Sequence, residues 1–449
     1  MKRFNRSYLK CLHWRGPQRC TLLLLSGCFI LILLSFFLLP SPDVYSEFGP
    51  RSQLVSNKFE SLLFELIPPR LESRVDCSAI INGNMQEIDK AKQVSMHLKN
   101  THEELTTESY LELTSNCLEF LEIRGYLKSS LSRDEFEFSI AYSILITEDV
   151  EMAERLLRAI YRPQNYYCIH VDSKSDAIYK VFLAIASCFN NVFIPERRLK
   201  MIWGTFSILE AELICMETLW PFARWKYFIN LTGKEFPLKT NLDIVKVLQS
   251  LNGANDIHAN IRETYTERWR YHFHYPPPWF RPVKGSVHIA ASRSFVDFVL
   301  HNETAAKILS WVKTLPKFHD EVFFSTLNHN PHLMVPGSYT GDLDTDEITK
   351  PHVSRYKVWN TSSHYFCATN RWEKYICILT TGDLPLMLRS IHLFANKFYL
   401  QEDRIVVSCL EEWIYNATKD GFLETRQINI SYYENLDIVK NQIRIPITS

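Results

Sequence analysis

One stretch constrains this chain more than any other. Thr21 to Leu39 reads TLLLLSGCFILILLSFFLL and holds no charged residue. A helix rises about 1.5 Å per residue, so about 20 apolar residues span a hydrocarbon core of about 30 Å. Lys2, Arg3, Arg6, Lys10, Arg15 and Arg19 precede it, with no acidic residue among them. That asymmetry keeps the N-terminus cytosolic and sends everything after Pro40 across the membrane. A cleaved leader is the competing reading. Its apolar region runs about 7–15 residues and ends at a small-residue site. Here the run is longer and ends Leu38-Leu39-Pro40-Ser41-Pro42. The expectation is a cytosolic tail over 1–20, an uncleaved signal-anchor over 21–39, and a body in an oxidising lumen.

Lys+Arg and Asp+Glu number 50 each, so no basic surplus points to nucleic acid or an anionic surface. With 46% hydrophobic residues the body can bury a sizeable core. Cys11, Cys20 and Cys28 lie in or before the anchor. Cys77, Cys117, Cys168, Cys188, Cys215, Cys367, Cys377 and Cys409 lie in the body. An even set in an oxidising compartment favours disulfides, but spacing does not give the pairing, and a mixture of bridges and buried thiols is the alternative. Sequons place candidate glycans at Asn302, Asn360, Asn416 and Asn429. Asn230 also heads a sequon but ends the apolar run Tyr227-Phe-Ile-Asn, which predicts burial. Asn5 is cytosolic on this topology and stays bare.

Residues 40–115 read as a stem, broken early by Pro50 and Pro68-Pro69, with polar helix-permissive sequence over 86–110 and an anchoring Cys77. From Phe138 the pattern changes. Phe138–Ile146 is a near-continuous apolar run, the mark of a strand covered on both faces. A helix with Met152, Leu156, Leu157 and Ile160 follows, then a strand over 166–171 that finishes on Asp172. Further helices are expected through Val181 and Ile185 and over 205–219, with strands at 191–194 and 227–231. Strand and helix alternation predicts a parallel sheet, whose ligands bind beyond the carboxyl ends of the strands.

Residues 262–288 mix aromatics, Arg and Pro, which suits sugar rings or a packed loop. His272 and His274 lack a third metal ligand at sensible spacing. Helices are expected at 305–310 and 320–327. Asp320 and Glu321 open the second, where they either cap the helix or hold a carboxylate at a pocket mouth to take a proton. Lys374, Arg389 and Lys397 are cations that could grip a diphosphate or form a solvated face. Neither GxGxxG, nor GxxxxGK[ST], nor a GxSxG elbow occurs.

Residues 138–174, Trp225-Lys-Tyr-Phe-Ile-Asn-Leu-Thr-Gly-Lys-Glu-Phe-Pro-Leu-Lys-Thr, Asp320-Glu321 with Thr326-Leu327, and Gly382-Asp383-Leu with His392-Leu-Phe-Ala-Asn-Lys-Phe together resemble the core 2 / I-branching β-1,6-N-acetylglucosaminyltransferases. The resemblance runs over about residues 70–415. It implies a GT-A-like α/β domain with a mixed, mostly parallel sheet, over 116–435 and followed by a tail over 436–449. It implies a Golgi type II membrane enzyme that inverts at the anomeric carbon. UDP-GlcNAc is the donor, a glycoprotein or glycolipid glycan the acceptor, and no metal cofactor takes part. Glu321 matches the base that takes the proton of the acceptor C6 hydroxyl. Lys374 and Lys397 match the cations on the departing UDP, and Asp172 a carboxylate near its uridine. Arg268 and Trp359 match acceptor contacts. The implied disulfides are Cys77–Cys409, Cys117–Cys188, Cys168–Cys215 and Cys367–Cys377. Asp342-Leu-Asp344 has a DxD form but reads as a loop.

The chain also departs from the family. Lysine stands at 374 in place of arginine, with Arg371 near enough in sequence to compensate. His258, Tyr265 and Thr361 replace a glutamate, a lysine and a tyrosine, and Gly285-Ser-Val-His288 replaces a more apolar run. Such changes alter acceptor choice by orders of magnitude. Two rival readings follow: a catalytically weak or inactive lumenal binding or chaperone-like homologue, and a xylosyltransferase-like activity. Oligomeric state is left open, a homo-oligomer included.

Overall fold

The computed structural model describes residues 72–101, 105–259, 276–343, 350–360 and 366–444, all within the unit Leu63–Ser449. The expected anchor over 21–39 lies outside them. Among the described residues no helix is long and apolar enough to cross a membrane.

Helices α1 (Cys77–Ile81), α2 (Met85–Thr101), α3 (Thr107–Leu113), α4 (Cys117–Arg124) and α5 (Arg133–Glu137) lead to a run of alternating elements. These are β1 (Ser139–Ile146), α6 (Val150–Ile160), β2 (Tyr166–Val171), α7 (Asp176–Ser187), β3 (Val192–Phe193), α8 (Phe206–Leu219) and β4 (Trp225–Thr232). Next come β5 (Glu235–Pro237), α9 (Asn241–Leu251), β6 (Asp256–Ile257), β7 (Ile289–Ser292), α10 (Arg293–His301), α11 (Glu303–Val312) and α12 (His319–Asn328). The C-terminal part holds β8 (Arg355–Tyr356), β9 (Trp372–Glu373), β10 (Ile376–Cys377), α13 (Leu384–Arg389), β11 (Phe394–Asn396), α14 (Arg404–Phe422), α15 (Ser431–Glu434) and α16 (Asp437–Lys440).

The main sheet has the order β3-β2-β1-β4-β7-β6. The first four strands are parallel, and β7 and β6 join antiparallel. Every residue of β1 is buried, which is why it reads as an unbroken apolar run. Successive side chains of a strand point to opposite faces. Ile140, Tyr142, Ile144 and Ile146 therefore pack with α6, α7 and α9, while Ala141 joins Phe228 and the apolar sides of α8, α10, α11 and α12. The chain leaves β1 for β2 and β3 on one side and returns to β4 on the other. That reversal opens a crevice beyond the end of β1. A smaller sheet has the order β5-β11-β8, with β11 antiparallel to β5 and parallel to β8.

Two boundaries differ from the sequence reading. Residues 72–113 belong to the folded body rather than to a stem. Ile80, Ile88, Ala91 and Leu98 share a core with Ile405, Val406 and Leu410 of α14, and Tyr110 is fully buried. At the other end Leu436, Ile438 and Val439 are buried, and the Tyr339 hydroxyl donates to the Asp437 carboxylate. Residues 436–444 are therefore packed, not a tail.

The disulfides are Cys77–Cys409, Cys117–Cys188, Cys168–Cys215 and Cys367–Cys377. The first ties α1 to α14 across 332 positions. Asn230 is buried, as its apolar neighbours predict. Its amide donates to the Val287 carbonyl at 2.7 Å and accepts from the Ile289 N–H at 2.7 Å. Asn302, Asn360, Asn416 and Asn429 are all exposed.

Candidate active site

The end of β1 is closed by its neighbours. The Asp172 N–H donates to the Ile146 carbonyl at 2.8 Å, and the Gly233 N–H to the Leu145 carbonyl at 2.9 Å. Asp172 is fully buried. One carboxylate oxygen accepts from the Lys174 N–H at 2.9 Å, and the other has the Lys174 ammonium at 3.2 Å. His170, two residues earlier, is also buried, with neither ring nitrogen hydrogen-bonded. Burial holds its imidazole below the usual range. The segment after β3 then folds over this edge: Arg198 donates to the Asp172 carbonyl at 2.8 Å, and the Ser173 N–H to the Leu199 carbonyl at 3.0 Å.

That segment carries Trp203, half exposed, which links the remaining candidates. The Lys374 ammonium stands 5.3 Å from the centre of the Trp203 ring. The same indole meets Phe318 edge-on at 5.3 Å, and the Phe318 N–H donates to the Gly204 carbonyl. Phe318 directly precedes α12, whose first turn holds Asp320 and Glu321. Gly204 and Phe318 both have positive φ, 75° and 64°, so this junction turns through left-handed backbone that favours glycine. Lys374 and Tyr375 form the two-residue turn between β9 and β10, with φ of 49° and 69°. Asn and Gly are the usual occupants of such a turn; a lysine held there is an outlier of the kind that gathers at functional sites. A cavity of about 500 Å³ is lined by Trp203, Asn360, Trp372, Lys374 and Tyr375.

Lys397 follows β11 and is largely buried. Its ammonium donates to Glu373 Oε2 at 2.8 Å. The Tyr399 hydroxyl donates to the same carboxylate oxygen and accepts from the Lys234 ammonium, which also pairs with Glu148. Burial lowers the Lys397 pKa, the Glu373 contact opposes it, and the charges of Lys234 and Lys374 add to the lowering, which prevails. Glu373 is pulled down to about 2, because its contacts with Lys397 and Tyr399 outweigh burial. The lysines expected to act together thus share one electrostatic cluster.

Glu321 lies three residues beyond Phe318, in the first turn of α12. The Gly285 N–H donates to its carbonyl at 2.7 Å, and Lys284 brings its ammonium to 3.6 Å from the carboxylate. A Cβ on Gly285 would lie 1.8 Å from Ser325 Oγ and 2.1 Å from the His258 carbonyl, so only glycine lets this segment reach α12. Behind it, Lys357 donates to Ser286 Oγ at 2.9 Å, contacts His288 Nδ1 at 3.2 Å and lies 5.4 Å from the ring of Trp359. Burial, and then the like charge of Arg355, push Lys357 down to about 8. Trp359 is exposed.

A buried polar network supports both halves. Glu235 takes Arg355 Nε at 2.7 Å, His288 Nε2 at 2.7 Å and the Asn396 amide at 2.9 Å. Burial alone would raise its pKa; Arg355 and His288 bring it down to about 2. His288 falls to about 4, mainly through burial. Glu212 on α8 accepts from the Ser143 hydroxyl and is pushed up to about 8 by burial.

Not every expected residue is placed. Arg268, Tyr265, Thr361, His272, His274 and Asp344 lie outside the described residues. Arg371 does not line the cavity; it pairs with Glu402, so it does not stand in for a missing arginine at 374. Arg389 is exposed in the last turn of α13. Trp203, Lys234, Lys284, Lys357, Glu373 and Tyr399 were not singled out by sequence. Only Lys234, in the Gly233-Lys-Glu run of the family-like segment 225–240, lies in a stretch that the sequence marks.

Comparison with known proteins accords with this geometry. The family model for the core-2/I-branching enzyme, Branch, matches residues 140–388. A β-1,3-galactosyl-O-glycosyl-glycoprotein β-1,6-N-acetylglucosaminyltransferase of Homo sapiens is 36% identical over 373 residues, covering 78% of this chain and 86% of that protein. The Bos taurus protein of the same name is 35% identical over 381 residues, with the same coverage of each. A Homo sapiens relative named as form 3 is 33% identical over 417 residues, covering 86% of this chain and 94% of its own length. The strands that build the crevice and the turn that carries Lys374 all fall inside the matched region, and the chain belongs to the core-2/I-branching enzyme family of glycosyltransferases.

Proposed function

We propose that the protein transfers N-acetylglucosamine from UDP-GlcNAc to the C6 hydroxyl of a GalNAc or Gal residue, with inversion and without a metal, to form a β-1,6 branch. Glu321 takes the hydroxyl proton as the oxygen attacks the anomeric carbon. Lys374 and Lys397 neutralise the charge that builds on the leaving UDP, a role that removes part of the barrier at the point where charge develops. Asp172 binds near the uridine. Trp359 and Arg268 hold the acceptor. The body is lumenal, carried on the Golgi membrane by the anchor at 21–39 and a spacer that ends before residue 72, with glycans at Asn302, Asn360, Asn416 and Asn429.

The observation that carries this reading is the contact chain Lys374, Trp203, Phe318, α12, which links the basic cluster to the helix whose first turn holds Glu321. The test is transfer from labelled UDP-GlcNAc in EDTA to a panel of galactose- and GalNAc-terminated acceptors, with the product linkage read by NMR. A β-1,6 product in EDTA is the expected result. Activity that chelation abolishes and manganese restores would refute the metal-free mechanism.

One observation favours a second reading, a binding protein without turnover: the ammonium of Lys397 is already paired with Glu373. That protein would be stabilised by UDP, since a ligand of the native state raises apparent stability, yet would transfer to no acceptor.

A further inference from the structure

The cavity that holds Lys374 is also lined by an acceptor asparagine. Asn360 heads the sequon Asn360-Thr-Ser362, is exposed, and shares the cavity with Trp203, Trp372, Lys374 and Tyr375. Its position is fixed against the turn that carries Lys374. The Asn360 N–H donates to the Tyr375 carbonyl at 3.0 Å, and Trp359 forms an antiparallel bridge with Ile376. Trp203 and Tyr375 are 51% and 65% exposed, so their rings are open to the flat apolar face of a pyranose. The other exposed sequon asparagines do not line this cavity: Asn302 caps α11, Asn416 lies on α14, and Asn429 precedes α15.

We propose that Asn360 carries an N-linked glycan whose innermost N-acetylglucosamine rests in the mouth of the Lys374 cavity and competes there with the nucleotide sugar. In the modification, Asn360 Nδ2 bonds to C1 of that sugar as C1 parts from a lipid diphosphate. The diphosphate leaves with the bonding electron pair, and the amide releases one proton. The oligosaccharide on its lipid diphosphate is the co-substrate, supplied by the secretory host. Tethering through a single side chain gives the attached sugar a high effective concentration at the cavity. Because it is the same sugar the donor carries, it meets the same aromatic faces. The inference deepens the reading of the cavity as the donor site and rests on it.

The test uses the full chain expressed in a glycosylating host. Wild type, Asn360→Gln and Ser362→Ala are compared; the last removes the acceptor signal and leaves Asn360 in place. Mass spectrometry of the peptide that spans residues 358–371 reports occupancy, and calorimetry with UDP-GlcNAc reports affinity. The expected result is a hexosamine-bearing peptide in wild type only, with donor binding several-fold tighter in both variants. An unmodified wild-type peptide overturns the proposal. So does equal affinity in all forms, or tighter binding in Asn360→Gln alone, which would assign the effect to the amide itself. If no form binds the nucleotide, the donor-site reading falls, and this inference with it.

Discussion

The Lys397 ammonium stands 2.8 Å from the carboxylate of Glu373, the residue immediately before Lys374 on its hairpin. The cluster read as a diphosphate grip therefore already contains an anion. Tyr399 and, through it, Lys234 close around the same carboxylate. Glu373→Gln keeps the shape and removes the charge, so UDP binding should tighten. The side chain is about one-third exposed, and such a pair is screened, so the gain should be about 1.5-fold to fivefold. Titration calorimetry measures it. Weaker binding would mean instead that Glu373 aligns Lys397 for the ligand.

Gly285 has no room for a side chain, because a Cβ would meet Ser325 Oγ and the His258 carbonyl. Backbone must shift to admit even a methyl group, at a cost of about 1–3 kcal/mol. Gly285→Ala should lower the thermal midpoint by several degrees and reduce transfer more than UDP binding, since the segment abuts the helix of Glu321 rather than the lysines. An unchanged midpoint would show that the segment relaxes freely.

Glu212 is buried against Ser143 and Asn230, and its carboxyl is raised from 4.5 to about 8. Between those values the unfolded chain has released the proton and the native chain still holds it. Native stability tied to this group is thus full below the unfolded value and falls as pH rises towards about 8. Glu212→Gln removes the dependence. Denaturant titrations should find the variant close to wild type near pH 4.5 and increasingly more stable than it towards pH 8. A constant difference across that range would contradict the assignment.

What sequence made legible was local. The runs at Phe138–Ile146 and Tyr166–Val171 are long, apolar and bounded, so β1, β2 and the buried Asp172 at the end of the second could be placed. The helix start at Asp320-Glu321 was equally plain. By contrast the buried positions among the described residues of α2 are Ile88, Ala91, Ser95 and Leu98, a stripe too narrow and too polar to mark a core helix. Its packing needs α14, more than 300 positions away in the chain, as the 332-residue span of Cys77–Cys409 shows. Strands β6 and β7 are short and antiparallel, without a periodic signal. The site partners failed for a related reason: Lys284 meets Glu321, and Trp203 meets both Phe318 and Lys374, only because separate loops converge. Positive φ at Phe318, Lys374 and Tyr375 runs against the ordinary preference of those residue types, so no turn signal announced them.

The most direct test of the central claim is Glu321→Gln, assayed for UDP affinity and for transfer on the same preparation. The substitution keeps the size of the side chain and its place in the first turn of α12 but cannot take a proton. A positioned general base contributes roughly 100-fold to 10,000-fold, so kcat should fall by at least about 100-fold while UDP binds as it does to wild type. A variant that transfers at the wild-type rate would remove Glu321 from its role and contradict the account.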